Sequence, residues 1–195
     1  MDFLQSLDLA LFHWINAAAT HPLLDFFFAN ITNLHRVKWI SLGLLPLLIA
    51  IALWRAGWRG LKTTLVLALA IGACDFVNHR MIKPAVARER PFHSDVVGAF
   101  LRIEPAPRGY SFPSNHAVNT MAGAVLLGAY FPPVRMVVYP VSILVGYSRP
   151  YLGVHYPFDI VFGWLQGALV AWLAIWALRK WAPSWAPAVR KKNEV

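Results

Sequence analysis

Cysteine is almost absent from this sequence, and acidic residues are scarce. The single cysteine, Cys74, excludes an intramolecular disulfide and any metal site built from several thiolates of one chain. Only 9 of the 195 residues are Asp or Glu, and they form no cluster of the kind that holds Mg²⁺. The sequence therefore argues against a disulfide-stapled secreted domain and against a thiolate- or carboxylate-bound metal centre.

Charged residues of both signs are rare as well. They make up 14% of the chain, whereas a soluble domain usually carries about 25%. Hydrophobic residues make up 58%, the mean hydropathy is +0.51, and the nine tryptophans suit the membrane–water interface. The composition predicts a membrane protein, and 195 residues leave room for a single domain, residues 1–195.

The charges that remain are mostly positive. The 18 Lys and Arg outnumber the 9 Asp and Glu, a formal net charge of +9 that in a soluble protein would suggest nucleic acid. Here the basic residues lie mainly between apolar runs, where positive-inside loops, anionic lipids or an anionic substrate account for them. We therefore expect membrane lipids as partners and no nucleic acid; the sequence sets no oligomeric state.

Five stretches are long and apolar enough to cross a bilayer, given the roughly 17–25 residues that a spanning helix needs. They lie near residues 36–55, 60–82, 114–131, 134–150 and 157–179. Residues 1–34 hold two shorter apolar pieces, the second opened by Pro22, which predict a hairpin of interfacial helices; a sixth spanning segment is the alternative. The sequence therefore predicts an all-α, multi-pass transmembrane bundle of about five to six spanning helices.

The predicted crossings divide the loops between two membrane faces. One face receives basic residues at positions 55–62, 135 and 179–180, and the positive-inside rule makes it cytoplasmic. The outer loop, residues 83–113, is also basic, so the rule sets the orientation in the membrane only if the basic residues of that loop have another function. On this interpretation the protein lies in the plasma (inner) membrane. The outer loop faces the periplasm or exterior and carries part of a site, and residues 181–195 form a loose cytoplasmic tail.

Three short polar blocks meet at the outer face on this topology. The first follows the second span, the second opens the third span, and the last joins the fourth span to the fifth. Phosphoryl transfer needs fixed positive donors around the equatorial oxygens. Lys83 can supply a point charge, and Arg90 and Arg149 can supply forked hydrogen bonds. Ser114 directly follows Pro113 where a helix begins, so free backbone N–H groups there form an anion site.

The same blocks contain a nucleophile and a proton donor. His155 and Asp159 are four residues apart, which places them on one face of a helix. A carboxylate on one ring nitrogen fixes the tautomer and leaves the other nitrogen free to attack phosphorus. His116 is then the general acid. The positive side chains would take the place of a metal ion.

At these residues the chain resembles the type 2 phosphatidic acid phosphatase family, whose active site is shared by vanadium-dependent haloperoxidases. The family pattern is Lys-x6-Arg-Pro, then Pro-Ser-Gly-His, then Ser-Arg-x5-His-x3-Asp. The matching residues are Lys83, Arg90 and Pro91, then Pro113, Ser114 and His116, then Ser148, Arg149, His155 and Asp159. Asn115 replaces the usual Gly; because Asn tolerates positive φ, we expect the turn and its amide N–H to survive.

The resemblance implies a role for each matched residue. It implies His155 as the nucleophile that forms a phosphohistidine, Asp159 as the residue that orients it, and His116 as the proton donor to the leaving group. It assigns phosphate binding to Lys83, Arg90, Ser114, Asn115 and Arg149. It also implies a reaction without metal or cofactor on a lipid phosphate or pyrophosphate. Undecaprenyl pyrophosphate is favoured, because small bacterial members often act on it; phosphatidylglycerol phosphate, phosphatidate and lipid A phosphate stay open.

Two alternatives belong to other classes of protein. A haloperoxidase would bind vanadate in the same pocket, but those enzymes are larger and soluble. A non-enzymatic protein that binds or transports lipid phosphate would use the cations as interfacial anchors, yet it has no need for His155 four residues before Asp159. The basic residues alone therefore suit either class, and the His–Asp pair favours an enzyme.

Two further regions are expected to support the site. Asp75, Asn78 and Arg80, at the end of the second span, either brace the site or bond to one another. Residues 92–112 form a long loop, and loops of this length are often functional. We expect this loop to lie beside the phosphate and to help select the headgroup.

Overall fold

The computed structural model describes residues 3–33, 42, 45–95 and 97–188, and the regular structure of these residues is helical throughout. Helices α1, Phe3–His13, and α2, Pro22–Asn33, are joined by a π-helical turn, Trp14–Ala18. Pro22 stands at the first position of α2, where its missing N–H costs no hydrogen bond. The predicted pair of short N-terminal helices is therefore present. Helix α1 packs against the last long helix and α2 against the one before it.

Helix α3, Leu45–Val77, contains a kink at Gly57, whose φ of 53° and ψ of −138° are not helical. Glycine suits this position because it has no Cβ to clash in the left-handed region. The kink falls between the two predicted spans 36–55 and 60–82; residues 36–41, 43 and 44 lie outside the described residues. A π-helix, Asn78–Ile82, and a short α4, Lys83–Val86, continue α3 toward the outer loop.

Three further helices agree with the predicted spans to within about two residues. They are α5, Asn115–Tyr130, α6, Arg135–Tyr151, and α7, Pro157–Trp181. Helix α5 lies at the centre, in contact with α3, α6 and α7. The contact with α7 is close because Gly167 has no side chain: a Cβ there would lie 2.2 Å from the Val118 carbonyl oxygen.

The bundle surface is apolar enough for lipid to surround it. Two helices, Trp54–Val86 and Pro157–Trp181, are long and apolar enough to cross a bilayer, and α5 and α6, with 16 and 17 residues, approach the minimum length. The outward side of α7 exposes large apolar side chains, among them Leu165, Leu169 and Trp172. Exposed apolar area on this scale marks a surface that water does not cover. The predicted all-α membrane fold is confirmed.

The described part of the C-terminal segment is held against the bundle. Lys62 Nζ donates a hydrogen bond of 2.7 Å to the Ser184 carbonyl, and the Tyr130 hydroxyl donates to the Trp185 carbonyl. The prediction of a loose tail over residues 181–195 is therefore wrong for residues 181–188, because backbone carbonyls, which no residue pattern marks, accept these hydrogen bonds. Residues 189–195 lie outside the described residues.

Candidate active site

His155 and Asp159 face each other at the start of α7. His155 Nδ1 lies 3.3 Å from Asp159 Oδ2, and the two residues are 3% and 0% exposed. The expected reason for the pairing, one shared helix face, is wrong: His155 precedes α7, which begins at Pro157. The pairing arises from helix capping instead. Asp159, in the first turn, accepts the Tyr156 N–H at 2.9 Å, and this bond folds the preceding residues back over the carboxylate.

A tight turn brings His155 back over the end of α6. Gly153 has a φ of 81°, and a Cβ on it would meet the Phe100 carbonyl oxygen at 2.4 Å. The Val154 N–H donates to the Arg149 carbonyl at 3.1 Å. The chain therefore reverses within a few residues, which brings His155 beside Arg149.

Arg90 lies on the other side of the His155 ring. Its Nη1 is 3.2 Å from His155 Nε2 and donates to the Val154 carbonyl at 2.9 Å. A guanidinium is only a donor, so Nε2 accepts and the ring proton sits on Nδ1, toward Asp159. Burial, followed by the charges of Arg90 and Arg149, lowers the pKa of His155 against the opposing effect of Asp159. The ring is therefore neutral near pH 7, with a nucleophilic lone pair on Nε2.

The other predicted phosphate ligands are buried around this ring. Lys83 is 8% exposed, and its Nζ donates to the carbonyls of Tyr110 and Pro113 at 3.0 and 2.8 Å. Arg149 is 3% exposed and its Nη1 donates to Thr32 Oγ1 at 2.5 Å. The site thus gathers three cations in an environment that excludes most water, which strengthens their attraction for an anion.

The N-terminus of α5 closes the same site. The Ser114 N–H donates to the Asp159 carbonyl at 3.1 Å, which fixes the start of α5 against the start of α7. Ser114 Oγ is buried and has no hydrogen-bond partner among the described residues. The backbone N–H groups of the first helical turn have no intrahelical acceptor, so they can bind an anion together with this hydroxyl. His116 lies in this first turn, two residues after Ser114.

Asn115 behaves differently from the expectation. It is the first residue of α5, and the only non-glycine residue with positive φ in the described part of the chain is Ala87. The argument that Asn is needed for positive φ is therefore wrong, because a helix start has negative φ. Its side chain turns to α3 instead: Nδ2 donates to Asp75 Oδ1 at 2.6 Å, and Oδ1 accepts from Asn78 Nδ2 at 3.3 Å. Asp75 and Asn78 thus brace the site, and only the Asn115 backbone N–H is left for phosphate.

The outer loop supplies carbonyl groups that fix two of the cations. Arg90 Nε donates to the Gly109 carbonyl at 2.8 Å, and Nη2 donates to the Arg108 carbonyl at 3.3 Å. The Tyr110 carbonyl accepts from Lys83 as described above. The end of the loop therefore lies against the site and holds the long side chains of Lys83 and Arg90 in one conformation.

Three residues around Asp159 were not predicted from the sequence. Arg88 Nη1 donates to Asp159 Oδ1 at 2.7 Å and its Nη2 donates to Asp8 Oδ2 at 2.6 Å. Ser111 Oγ donates to Asp159 Oδ2 and lies 3.5 Å from His155 Nδ1. Asp8, 1% exposed, also accepts the Phe158 N–H at 2.8 Å. The available signals were the place of Arg88 inside the first motif block and the presence of a carboxylate on an apolar helix, which needs a partner.

The assembled site can hold a tetrahedral anion against a neutral imidazole. Lys83, Arg90, Arg149 and the start of α5 supply positive charge and donors. Asp159, held by Arg88 and Ser111, faces the opposite side of the ring. Attack by Nε2 would make the ring cationic, and the carboxylate at Nδ1 would stabilise that cation.

Comparison with known proteins identifies the family. The family model described as the PAP2 superfamily matches residues 62–183, more than half of the chain. An undecaprenyl-diphosphatase of Sulfolobus acidocaldarius is 36% identical over 118 residues, which cover 60% of this chain and 55% of that protein. A decaprenylphosphoryl-5-phosphoribose phosphatase of Mycolicibacterium smegmatis is 41% identical over 124 residues, which cover 55% of this chain and 63% of that protein. The chain thus spans less than two thirds of either relative.

Two solved structures have the same fold. The transmembrane phosphatidylglycerolphosphate phosphatase of Bacillus subtilis superposes with a TM-score of 0.65 at 25% identity, over 100% of this chain and 90% of that one. LpxE of Aquifex aeolicus superposes with a TM-score of 0.63 at 27% identity, over 87% of this chain and 94% of that one. The resemblance inferred from the three motif blocks is confirmed. The chain belongs to the PAP2 superfamily.

Proposed function

We propose that this protein is a lipid phosphatase that hydrolyses a phosphate ester or anhydride through a phosphohistidine on His155. One observation carries the proposal: a buried imidazole has a carboxylate at Nδ1 and a guanidinium at Nε2. A protein that only binds phosphate needs the cations but has no use for a ring held in one tautomer with its other nitrogen beside a cation. Membership of the PAP2 superfamily supports the same reading.

The proposed reaction has two displacement steps at phosphorus. His155 Nε2 attacks, the bond from phosphorus to the leaving oxygen breaks, and His116 gives its proton to that oxygen. A water molecule then attacks the phosphohistidine while His116 takes the water proton, which releases inorganic phosphate and restores neutral His155. Lys83, Arg90 and Arg149 stabilise the negative charge on the equatorial oxygens in both steps, together with the Ser114 hydroxyl and the Asn115 N–H.

The reaction is proposed to need no metal ion or cofactor. The roles that Mg²⁺ plays in other phosphoryl-transfer sites are the neutralisation of phosphate charge and the orientation of the group. Lys83, Arg90 and Arg149 are buried and fixed by carbonyl or hydroxyl acceptors, so they can fill both roles.

The substrate class follows from the fold and from the relatives. A site at the end of an apolar bundle receives its substrate from the membrane, so the phosphate is carried by a lipid. The names of the similar proteins give their substrates as undecaprenyl diphosphate and decaprenylphosphoryl-5-phosphoribose. We propose a polyprenyl carrier, with undecaprenyl pyrophosphate as the leading substrate; phosphatidylglycerol phosphate, phosphatidate and lipid A phosphate are the alternatives.

The site is proposed to face the periplasm or exterior from the plasma membrane. The opposite end of the bundle carries Arg55, Arg59, Lys62, Arg135, Arg179 and Lys180. The positive-inside rule places that end in the cytoplasm. The basic residues of the outer end do not count against this orientation, because Lys83, Arg88, Arg90 and Arg149 belong to the site.

The test is phosphate release from a panel of lipid phosphates in detergent with EDTA present. We expect activity in EDTA, and we expect His155→Ala to lower kcat by at least about 1000-fold, the usual cost of losing a nucleophile. His93→Ala, which removes an exposed histidine of the outer loop, is the matched control and should keep its activity. A requirement for Mg²⁺ would overturn the metal-free mechanism. Tight lipid binding without phosphate release would instead favour a binding or transport protein.

A further inference from the structure

A second cavity opens at the end of the bundle opposite the active site. Its volume is about 660 Å³, and it lies between α3 and the connection from α5 to α6. Arg55 and Arg59 line one side, and Leu127, Phe131, Val134 and Val138 line the other. Helix α5 begins at the active site and reaches this cavity 12 to 16 residues later, so the two sites are roughly 20 Å apart.

The two arginines stand on either side of the kink in α3. Arg55 precedes Gly57 and Arg59 follows it, yet both reach the same cavity. Arg59 donates to the Tyr130 carbonyl and lies 4.9 Å from the centroid of the Phe131 ring. Arg55 is exposed and makes no hydrogen bond or ion pair with any residue that the structure describes. One guanidinium is therefore fixed at the cavity wall, and the other is available at its mouth.

The charge at this end of the bundle has one sign. The described segments 54–63, 127–138 and 178–188 contain six basic residues and no Asp or Glu: Arg55, Arg59, Lys62, Arg135, Arg179 and Lys180. An anion that enters the cavity meets no carboxylate there. The residues that line the cavity include no His, Cys or Ser either, so a bound phosphate would be held and not cleaved.

We propose that this cavity binds an anionic phospholipid of the inner leaflet. The phosphate lies between the guanidinium groups of Arg55 and Arg59, and an acyl chain lies along Leu127, Val134 and Val138. The apolar wall distinguishes a lipid from a soluble phosphate, because only a lipid offers matching apolar surface. Basic pockets between membrane helices suit such headgroups. A bound lipid would tie the kinked part of α3 to the end of α5.

Binding can be measured without any assay of hydrolysis, so its outcome does not depend on the proposed function. The delipidated protein is titrated with phosphatidylglycerol or phosphatidylcholine of equal chain length, and bound lipid is counted by native mass spectrometry. We expect the wild type to retain one phosphatidylglycerol in preference to phosphatidylcholine. Each arginine should contribute about fivefold in affinity, so R55Q/R59Q should weaken binding about 25-fold.

R179Q/K180Q is the matched control, because it removes the same charge from the same end outside the cavity. It should keep the preference for phosphatidylglycerol; an equal loss in both double variants would show general charge attraction and overturn the site. R55Q alone guards against misfolding, since Arg55 makes no hydrogen bond or ion pair with a described residue, and it should still weaken binding about fivefold. Glycerol phosphate at the lipid concentration should displace nothing, and displacement would overturn the assignment to a lipid.

Discussion

Arg88 offers the sharpest test of how the His155–Asp159 pair is held. It donates to Asp159 at 2.7 Å and to Asp8 at 2.6 Å, and it lies 3.9 Å from the centroid of the Tyr156 ring. Arg88→Gln would leave Asp159, which is 0% exposed, without its cationic partner. Removal of one partner of a buried ion pair costs about 3–5 kcal/mol. The Arg88 side chain is 28% exposed, so water screens part of this and we expect about 2 kcal/mol.

The kinetic effect should fall on kcat rather than on KM. Arg88 contacts the two carboxylates and not the cations that face the phosphate, so ground-state binding should change little. Loss of a residue that orients a reacting side chain through another typically costs about 10–100-fold. The assay is kcat and KM for a lipid phosphate in mixed micelles, with the midpoint of thermal unfolding measured in the same detergent. Arg88→Lys keeps the charge but cannot donate to both carboxylates at once, so its kcat should lie between those of the wild type and Arg88→Gln.

Arg102→Gln is the matched control for Arg88→Gln. Arg102 pairs with Asp25 at 3.3 Å at the same end of the molecule and does not contact Asp159. We expect it to change kcat less than about twofold, because this partly exposed pair contacts neither His155 nor Asp159. A raised KM with unchanged kcat in Arg88→Gln would refute the reasoning, since it would show that Arg88 binds phosphate directly. Equal losses in the two variants would refute it too.

Three further predictions follow from burial and packing. Burial lowers the pKa of His155 below its ordinary 6.5, so as the pH falls below about 6.5 the imidazole of the unfolded chain takes up a proton and that of the folded protein does not. The free energy of unfolding should therefore be highest above that pH and fall by up to about 1.4 kcal/mol per pH unit below it. Thermal unfolding in detergent should show a steeper fall for the wild type than for His155→Gln. Equal slopes would contradict this. Gly167→Ala should lower the unfolding midpoint markedly, since its Cβ would lie 2.2 Å from the Val118 carbonyl oxygen, whereas Gly123→Ala meets nothing within 4 Å and should be neutral or stabilising. Asp8→Asn should lower kcat about tenfold and leave KM unchanged, because it removes the negative charge beside Arg88 while the amide oxygen can still accept the Phe158 N–H; an unchanged kcat would argue against that link.

Much of the fold could be predicted from the apolar runs and from the residues that mark helix starts. Pro22, Pro157 and the motif residue Ser114 stand at or beside helix starts, and the runs that follow them are long enough to fix the helix type. The kink at Gly57 and the contacts of the C-terminal segment could not be predicted. A kink does not interrupt the apolar pattern of the sequence. The acceptors for Lys62 and Tyr130 are backbone carbonyls, which every residue has.

The site residues were predictable by type, but apart from the His155–Asp159 pair their partners were not. The spacing of Lys83, Arg90 and Arg149 indicated an anion pocket, and the structure gathers them around His155. The spacing of Asn115 from Asp75 carries no signal of a contact, because a hydrogen bond between side chains of two packed helices depends on their relative rotation. The same holds for Ser111, which lies in an irregular loop where no periodicity indicates direction.

The pairing of Asp8 with Arg88 has an electrostatic consequence for the reaction. Asp159 must stay close to His155 and keep its negative charge in order to stabilise the cationic ring. A single arginine on Asp159 would fix its position but cancel that charge at close range. Asp8 lies on the far side of Arg88, so the three groups together carry a net charge of −1, the same as an isolated Asp159. Arg88 can therefore hold the carboxylate without removing the field that His155 requires, and this explains why a buried acid on the N-terminal helix belongs to a site whose predicted residues all lie between positions 83 and 159.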